Sequence, residues 1–558
     1  MKVYKAPRDE AIPDVDILTL LFEHGLCLAR EDTRIHVDAA NPASYVTKAQ
    51  ARTLTKRVAH VLRHHYGIGT SGVGKDRVLT IVNGSPFAPV FFYGLVAAGG
   101  IFCGAGTDYK VSDLVRQIKD SGTSLLVCSP ECQTQAIEAA DVCGISKNRL
   151  LILDSRNWRL LSAATGLDLL GSEELDWPRL TDPRVLEQTT ICLLYSSGTT
   201  GLPKGVRISH RSLVANNVCT MVPARRYKIG QARRGTHFSF DTIAHLPMAN
   251  IAGISLYATN PFYMGGTTYW MEKFDFDLFL GYHRRYRPHY QFTVPPIWLR
   301  IAKSDAVTDH FDALQVAVTG SAPVGLDMLK EVQKKLGRGH AYLSQTWGAT
   351  ECAGVITAQE WQLYSESGKW SVGSPCPNVS LRVVDEDDRD VEEGQPGELL
   401  VGGPILAQGY HNRPDADQET FTNGFYRTGD IGIIEDGLVQ IIDRKKELIK
   451  YKGAQVAPAE LEGLLTSHPR IADAAVIGIW NENQQTELPR AYVVRQPTTT
   501  EHLPITAEQV ADFVKVKVSS HKRLRGGVVF LDEIPKSASG KILRKELRQK
   551  ASKNEVKL

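Results

Sequence analysis

No CxxC pair, no apolar leader and no marked excess of either charge occur in this 558-residue sequence. Its nine cysteines are an odd number scattered from Cys27 to Cys376, and the closest pair is Cys128 and Cys132. That spacing argues against a zinc ribbon or a disulfide framework and fits a reducing compartment. The 65 Lys+Arg against 62 Asp+Glu leave a net charge of +3. So even a balance, with no basic stripe interleaved with aromatics, argues against a nucleic-acid binder. The opening residues, MKVYKAPRDEAIPD, are charged throughout and lack the core of a signal peptide, so a cytoplasmic protein is expected. At the other end, Val556-Lys557-Leu558 resembles the peroxisomal Ser-Lys-Leu address but differs at the first position.

Val78 to Thr107 holds no charged residue, yet Asn83, Pro86, Pro89 and four glycines from Gly94 to Gly104 interrupt it. A lipid-spanning helix needs about 20 consecutive, mostly apolar residues. The pattern reads instead as a buried strand, a turn, a short buried helix and another strand, and no membrane span is expected.

What is present is an ordinary globular balance, 42% hydrophobic and 23% charged. At roughly 150 residues per domain the length suggests three or four folding units. Short apolar runs such as VLTIV, SLLVC and LLIL alternate with amphipathic stretches, one of them Thr47 to His65 with Leu54, Val58, Val61 and Leu62 on one face. That alternation predicts sheets covered by helices, an α/β architecture. From Gly373 to Gly409 the pattern changes to short strands with Gly/Pro turns, a small β-rich subdomain. From Glu447 to Leu558 there are 18 Lys+Arg and 13 Asp+Glu, so a compact basic C-terminal domain is expected.

Gly67-Ile-Gly69-Thr-Ser-Gly72 matches GxGxxG, and Gly69 to Lys75 matches most of a P-loop, with Asp76 where Ser or Thr belongs. Both motifs need a strand before and a helix after, so that helix N–H groups face the phosphates. Here the order is reversed, and a helix-to-strand connection is the better reading.

Ser196-Ser-Gly-Thr-Thr-Gly-Leu-Pro-Lys-Gly205 lies between two apolar strands, ICLLY and VRIS. Its three glycines permit close backbone approach to a ligand. Its hydroxyls and Lys204 offer donors to phosphate oxygens. Further along come GSAP (Gly320 to Pro323), WGATE (Trp347 to Glu351), YRTGD (Tyr426 to Asp430), DRKKELIKYKGAQVAPAELE from Asp443, and PKSASGKILRKEL from Pro535.

In this order the motifs resemble those of the adenylate-forming (AMP-binding) superfamily: acyl- and aryl-CoA synthetases, carrier-protein adenylation domains and beetle-type luciferases. The resemblance runs from about Ala51 to Leu547, and VPPIW, IAKS and IKYKGAQVAPAE read most like the 4-coumarate–CoA ligase type. It implies an α/β fold: a large N-terminal domain of two βα-layered subdomains plus the β-rich subdomain, residues 1–442. A hinge at 443–446 and a small mobile α+β domain, 447–558, would follow.

The implied reaction has two steps. A carboxylate attacks the α-phosphate of ATP to give acyl-AMP and pyrophosphate; a thiol, that of coenzyme A, then displaces AMP. Ser196, Ser197, Gly198, Thr199, Thr200, Gly201 and Lys204 would hold the β- and γ-phosphates. Glu351 would bind Mg²⁺, a hard ion that favours carboxylate and phosphate oxygens. Thr350 would donate to the α-phosphate. Trp347, where the family usually has Tyr, would stack on adenine beside Gly348, with Gly320, Ser321, Ala322 and Pro323 closing the other side. Asp430 would accept from both ribose hydroxyls, assisted by Arg444. Lys541 would bridge the carboxylate and the triphosphate, offsetting their repulsion as charge builds on the α-phosphate. With the small domain in one orientation Lys541 and Gln455 would reach the nucleotide; in the other, Lys450 and its neighbours would line the thiol's path.

Acyl specificity is where the sequence departs from the 4-coumarate pattern. Asn250 replaces a histidine of the thiol tunnel. Ala252 and Gly253 would widen the acyl pocket, Thr346 would narrow it, Val355 shares its wall, and Lys303 would meet either a polar end of the substrate or solvent. The partners implied are a carboxylic acid and coenzyme A, with a carrier protein as the alternative acceptor and a luciferase-like oxygenase as a further alternative activity.

Overall fold

The computed structural model describes residues 2–196, 203–322, 324–361, 371–452, 454–482, 484–496, 504–537 and 540–555. The α/β expectation holds. A seven-stranded sheet runs in the order Lys204–Ser209, Thr190–Ser196, Ile101–Gly104, Arg77–Ile81, Leu125–Cys128, Leu150–Asp154, Arg159–Ser162. Its five inner strands are parallel, and the outer strand at each edge is antiparallel. Both faces are buried. Helices Lys48–Tyr66 and Phe87–Ala97 cover one, and Val111–Ser121 with Gln133–Val142 the other. Such double coverage explains why the strands read as continuous apolar runs.

The uncharged stretch resolves into strand Arg77–Ile81, the wholly buried helix Phe87–Ala97 and strand Ile101–Gly104. Among the described residues no helix is long and apolar enough to cross a membrane. The GxGxxG decoy is a connection between helix Lys48–Tyr66 and strand Arg77–Ile81, as the order of elements predicted. That helix opens on a capping box between Thr47 and Gln50 and closes on Gly67 in the left-handed conformation, the usual start and stop devices.

A four-stranded sheet contains Arg34–Asp38 and Tyr45–Thr47, and a three-stranded parallel sheet holds Tyr290–Thr293, Val316–Thr319 and Tyr342–Gln345 in register. The β-rich region extends further than its sequence pattern: strands Ser380–Val384 and Gly397–Gly402 join Tyr4–Lys5, Phe421–Thr422 and the hairpin of Phe425–Glu435 with Leu438–Arg444 in a six-stranded antiparallel sheet. Beyond it stands the C-terminal unit: helix Pro458–Thr466, the hairpin of Ile471–Asn481 with Thr486–Arg495, strand Val528–Phe530, and helices Ala507–Lys515 and Arg544–Glu555. This unit has apolar clusters of its own, around Val476 and Val493 and around Ile477 and Leu547.

Candidate active site

Thr293, Thr319 and Gln345 lie side by side where the three parallel strands end. The segments leaving those ends are the Val294-Pro295-Pro296 turn, the GSAP turn and the Trp347–Glu351 segment, so one crevice collects three of the motifs. Ligand sites in open parallel sheets form at such carboxyl ends. Ser321 holds φ +72 in the GSAP turn, a strained conformation for a side chain with a Cβ. Gly320 is buried beside it and Ala322 half-buried, while Pro323 lies outside the described residues. Gly348 and Ala349 pair with Gly354 and Val355 in a short hairpin, and Thr350, half-buried, opens the turn to Cys352.

Trp347, Asp430 and Arg444 form one cluster. Trp347 Nε1–H donates to Asp430 Oδ2 at 2.8 Å, and Arg444 Nε meets Oδ1 at 2.5 Å. Strand register accounts for the ion pair, since Asp430 and Arg444 are direct partners across their hairpin. The Asp430 carboxylate, 6% exposed, holds the Arg444 guanidinium above its usual range.

Lys541 reaches the same place. Burial, then the charges of Arg444 and Lys446, push its ammonium down to about 8, against the opposing pull of Asp430 and Glu447. Lys446 is likewise pushed to about 8 by burial and by Arg444, with Lys204 contributing. Arg444, Lys446 and Lys541 thus share the field of Asp430, with Glu447 a second carboxylate acting on both lysines. The Lys541 segment is seated by Gly540, at φ +77, where an added Cβ would lie 3.1 Å from Pro296 and 3.2 Å from Val294.

At the sheet edge, Ser196 and Lys204 are opposite residues of an antiparallel pair, so the strands flanking the Ser/Thr/Gly segment lie side by side. Ser197, Gly198, Thr199, Thr200 and Gly201 lie outside the described residues. Lys204 Nζ sits 4.8 Å from the centre of the Tyr410 ring, and the Tyr410 hydroxyl donates to Glu351 Oε1 at 3.0 Å. Burial and the Glu351 carboxylate push the Tyr410 phenol up. Tyr410 was missed in the sequence; its only local signal is an aromatic after Gly409, and its partners lie far away in the chain. No group of three or more His, Cys, Asp or Glu among the described residues could hold a metal. Glu351, a buried carboxylate linked through Tyr410 to Lys204, nonetheless suits Mg²⁺, which commonly takes one or two carboxylates and completes its shell with phosphate and water.

Next to Thr346 is a cavity of about 40 Å³ that also touches Val355, Phe292, Tyr290, Leu256 and Trp361. Thr346 is fixed there by donating its hydroxyl to the Thr357 carbonyl at 2.6 Å. Asn250, Ala252 and Gly253 are not on its wall. Gly253 is needed for backbone contact, since a Cβ would come 2.3 Å from the Pro247 carbonyl oxygen, and its N–H bonds to Asn250 O at 3.0 Å. Lys303 is elsewhere too, donating to the carbonyls of Thr466, at 2.9 Å, and Ile471. Lys450 and Gln455 are opposite, exposed residues of a hairpin whose other face is buried, and are not part of the Lys541 cluster. A larger cleft, about 490 Å³, lies at the opposite end of the three-stranded sheet near His289, Gln315 and His340, and none of the predicted site residues borders it.

The AMP-binding enzyme profile matches residues 28–411, and that of the AMP-binding enzyme C-terminal domain matches 460–541. The chain belongs to the AMP-binding enzyme family. A relative from Emericella nidulans, provisionally named an acyl-coenzyme A synthetase, is 44% identical over 98% of each chain. The phenylacetyl-CoA ligase epaB of Aspergillus niger is 33% identical over 97% of each. The 4-coumarate–CoA ligase 2 of rice (Oryza sativa subsp. japonica) is 32% identical over 97% of this chain and 94% of its own. Among solved structures, ATP-bound MatB from Rhodopseudomonas palustris, at 27% identity, superposes with a TM-score of 0.78 over 96% of this chain and 98% of its own. Apo MatB covers the same shares with a TM-score of 0.69. AMP-binding enzymes thus share this chain's two-part architecture of a large N-terminal and a smaller C-terminal domain.

Proposed function

We propose that the chain is an ATP-dependent acid–thiol ligase that makes an acyl-CoA through an acyl-adenylate, releasing AMP and pyrophosphate. The observation that carries the reading is the Trp347–Asp430–Arg444 cluster with Lys541 and Lys446 in its field, together with the linked set of Lys204, Tyr410 and Glu351. Two anions must approach each other in the first step. A fixed set of ammonium and guanidinium groups lowers that barrier because it needs no reorganisation as charge develops.

In this reading Trp347 offers its ring face to adenine while its N–H holds Asp430, which accepts from the ribose hydroxyls. Lys204 and the Ser196–Gly201 loop bind the departing phosphates, and Thr350 donates to the α-phosphate. Lys541 spans the carboxylate and the α-phosphate. Glu351, oriented by Tyr410, would hold Mg²⁺, which when bound would supply positive charge against the triphosphate. The acyl group enters beside Thr346 and Val355. Residues 1–442 form the large domain, 443–446 the hinge and 447–558 the small domain. Lys450, outside the present cluster, is then free to line the thiol's path after the small domain turns, while Gln455, expected at the nucleotide beside Lys541, lies apart from that cluster.

The test is ATP–pyrophosphate exchange across a panel of aryl, fatty and short-chain acids, followed by thioester formation with coenzyme A against a carrier protein. Acid-dependent exchange and product with free coenzyme A are expected. Absence of exchange with every acid overturns the reading.

A further inference from the structure

The helix Pro295–Lys303 touches the small domain at both of its ends. Its first turn meets the loop of Gly540 beside Lys541, with Pro296 as the contact. Its last residue, Lys303, donates its ammonium to the carbonyls of Thr466 and Ile471. Thr466 is the last residue of helix Pro458–Thr466. Helix C-termini present unsatisfied carbonyls and partial negative charge, and a lysine placed there meets both needs. Asp473 adds a carboxylate whose charge acts on Lys303, and it pairs at 2.5 Å with Lys536, five residues before Lys541. A nine-residue helix is about 13 Å long, so it fixes two points of the small domain at a set separation.

We infer that Lys303 is a positioning residue: its grip on the end of helix Pro458–Thr466 holds the small domain in the orientation that brings Lys541 to Asp430. This rests on the proposed function and adds to it a residue remote from the reacting atoms. Lys303 touches neither the pocket nor the nucleotide cluster. Among the described residues, both carbonyls that its ammonium bonds belong to the small domain, so it acts on the orientation of that domain rather than on substrate. The present arrangement superposes better on ATP-bound MatB than on apo MatB over equal lengths of chain, TM-scores 0.78 and 0.69. A contact that exists in one orientation only shifts the balance toward it by its own free energy.

The experiment uses the full-length chain with Lys303→Met, Lys303→Arg and Lys303→Gln. Two rates are measured apart: ATP–pyrophosphate exchange, and acyl-CoA formation from a synthetic acyl-adenylate of an acid the wild type accepts. Lys303→Met is expected to lose about 10-fold in exchange, the scale of a charge-assisted hydrogen bond, with the adenylate-to-thioester rate equal to or above wild type. Lys303→Arg, which can still reach two carbonyls, is expected to recover most of the exchange. Should Lys303→Met fail to fold, Lys303→Gln, which keeps one donor, carries the same comparison. Equal loss in both rates, or change in neither, overturns the latch while leaving the ligase reading intact. A wild type that exchanges with no acid defeats the ligase reading itself.

Discussion

The indole of Trp347 and the carboxylate of Asp430, 83 residues apart in the chain, are joined by a 2.8 Å hydrogen bond. A phenylalanine would keep the flat face for adenine but not this bond, leaving Arg444 alone to orient the carboxylate. Trp347→Phe is therefore expected to raise the KM for ATP about tenfold, the worth of one hydrogen bond to a charged group, with kcat nearly unchanged. Steady-state exchange kinetics check it, and a loss confined to kcat would refute the arrangement.

Lys541 carries a sharper expectation. Lys541→Ala should lose about 100-fold or more in adenylate formation, in line with removal of a preorganised transition-state charge, while still converting preformed acyl-AMP to thioester. The ammonium titrates at about 8 in the free protein, pushed down by burial and by Arg444 and Lys446. The protonated form is the useful one, so kcat/KM for exchange should fall as pH rises through about 8. Bound nucleotide adds negative charge and holds the proton, so the kcat limb should lie at higher pH. Profiles flat to pH 10 in both parameters would count against the role.

Tyr410 serves two neighbours at once, its ring under Lys204 and its hydroxyl on Glu351. Tyr410→Phe removes only the second and should slow exchange about tenfold, whereas Tyr410→Ala removes both and should slow it about a hundredfold. Matching losses in the two variants would show that the ring contact contributes nothing.

Four of the buried histidines, His36, His210, His245 and His283, give the fold an acid weakness. Burial pushes His36 and His283 down to about 3, and His210 and His245 to about 4. In the unfolded chain each titrates near 6.5, so below that pH the unfolded state binds more protons and stability is lost as pH falls. Each contributes a loss of about 2 kcal/mol between pH 6.5 and 5, and none above pH 7. His36 bonds to Tyr93 and Trp270. Although His36→Asn will cost stability at pH 7, its urea midpoint should fall less between pH 7 and pH 5 than that of the wild type. An unchanged pH slope would dismiss His36 as a source.

Much of this was legible in the sequence because it depends on neighbours in the chain. The capped helix Lys48–Tyr66, the strand order around the false GxGxxG and the edge strand carrying Lys204 are all local patterns. The nucleotide motifs were legible as words, but not the bonds among them. What stayed hidden depends on tertiary packing. Lys303 finds its carbonyl 163 residues away at Thr466, and no spacing rule points there. Gly253 looked like extra room for substrate; whether a missing Cβ faces a pocket or another backbone is decided by the fold, and here the Pro247 carbonyl takes the space.

The strand Lys204–Ser209 ends the seven-stranded sheet, a position that normally leaves a row of open amides and carbonyls. Here a second segment lies along its outer side: Arg207 N–H bonds to Gly409, His411 N–H to Gly205, and Gln408 N–H back to Arg207. The strand that carries Lys204 can thus occupy a sheet margin without offering a template to foreign strands. Damage to the Gln408–His411 segment would bare this margin to self-association and at the same time free Tyr410 from Lys204 and Glu351.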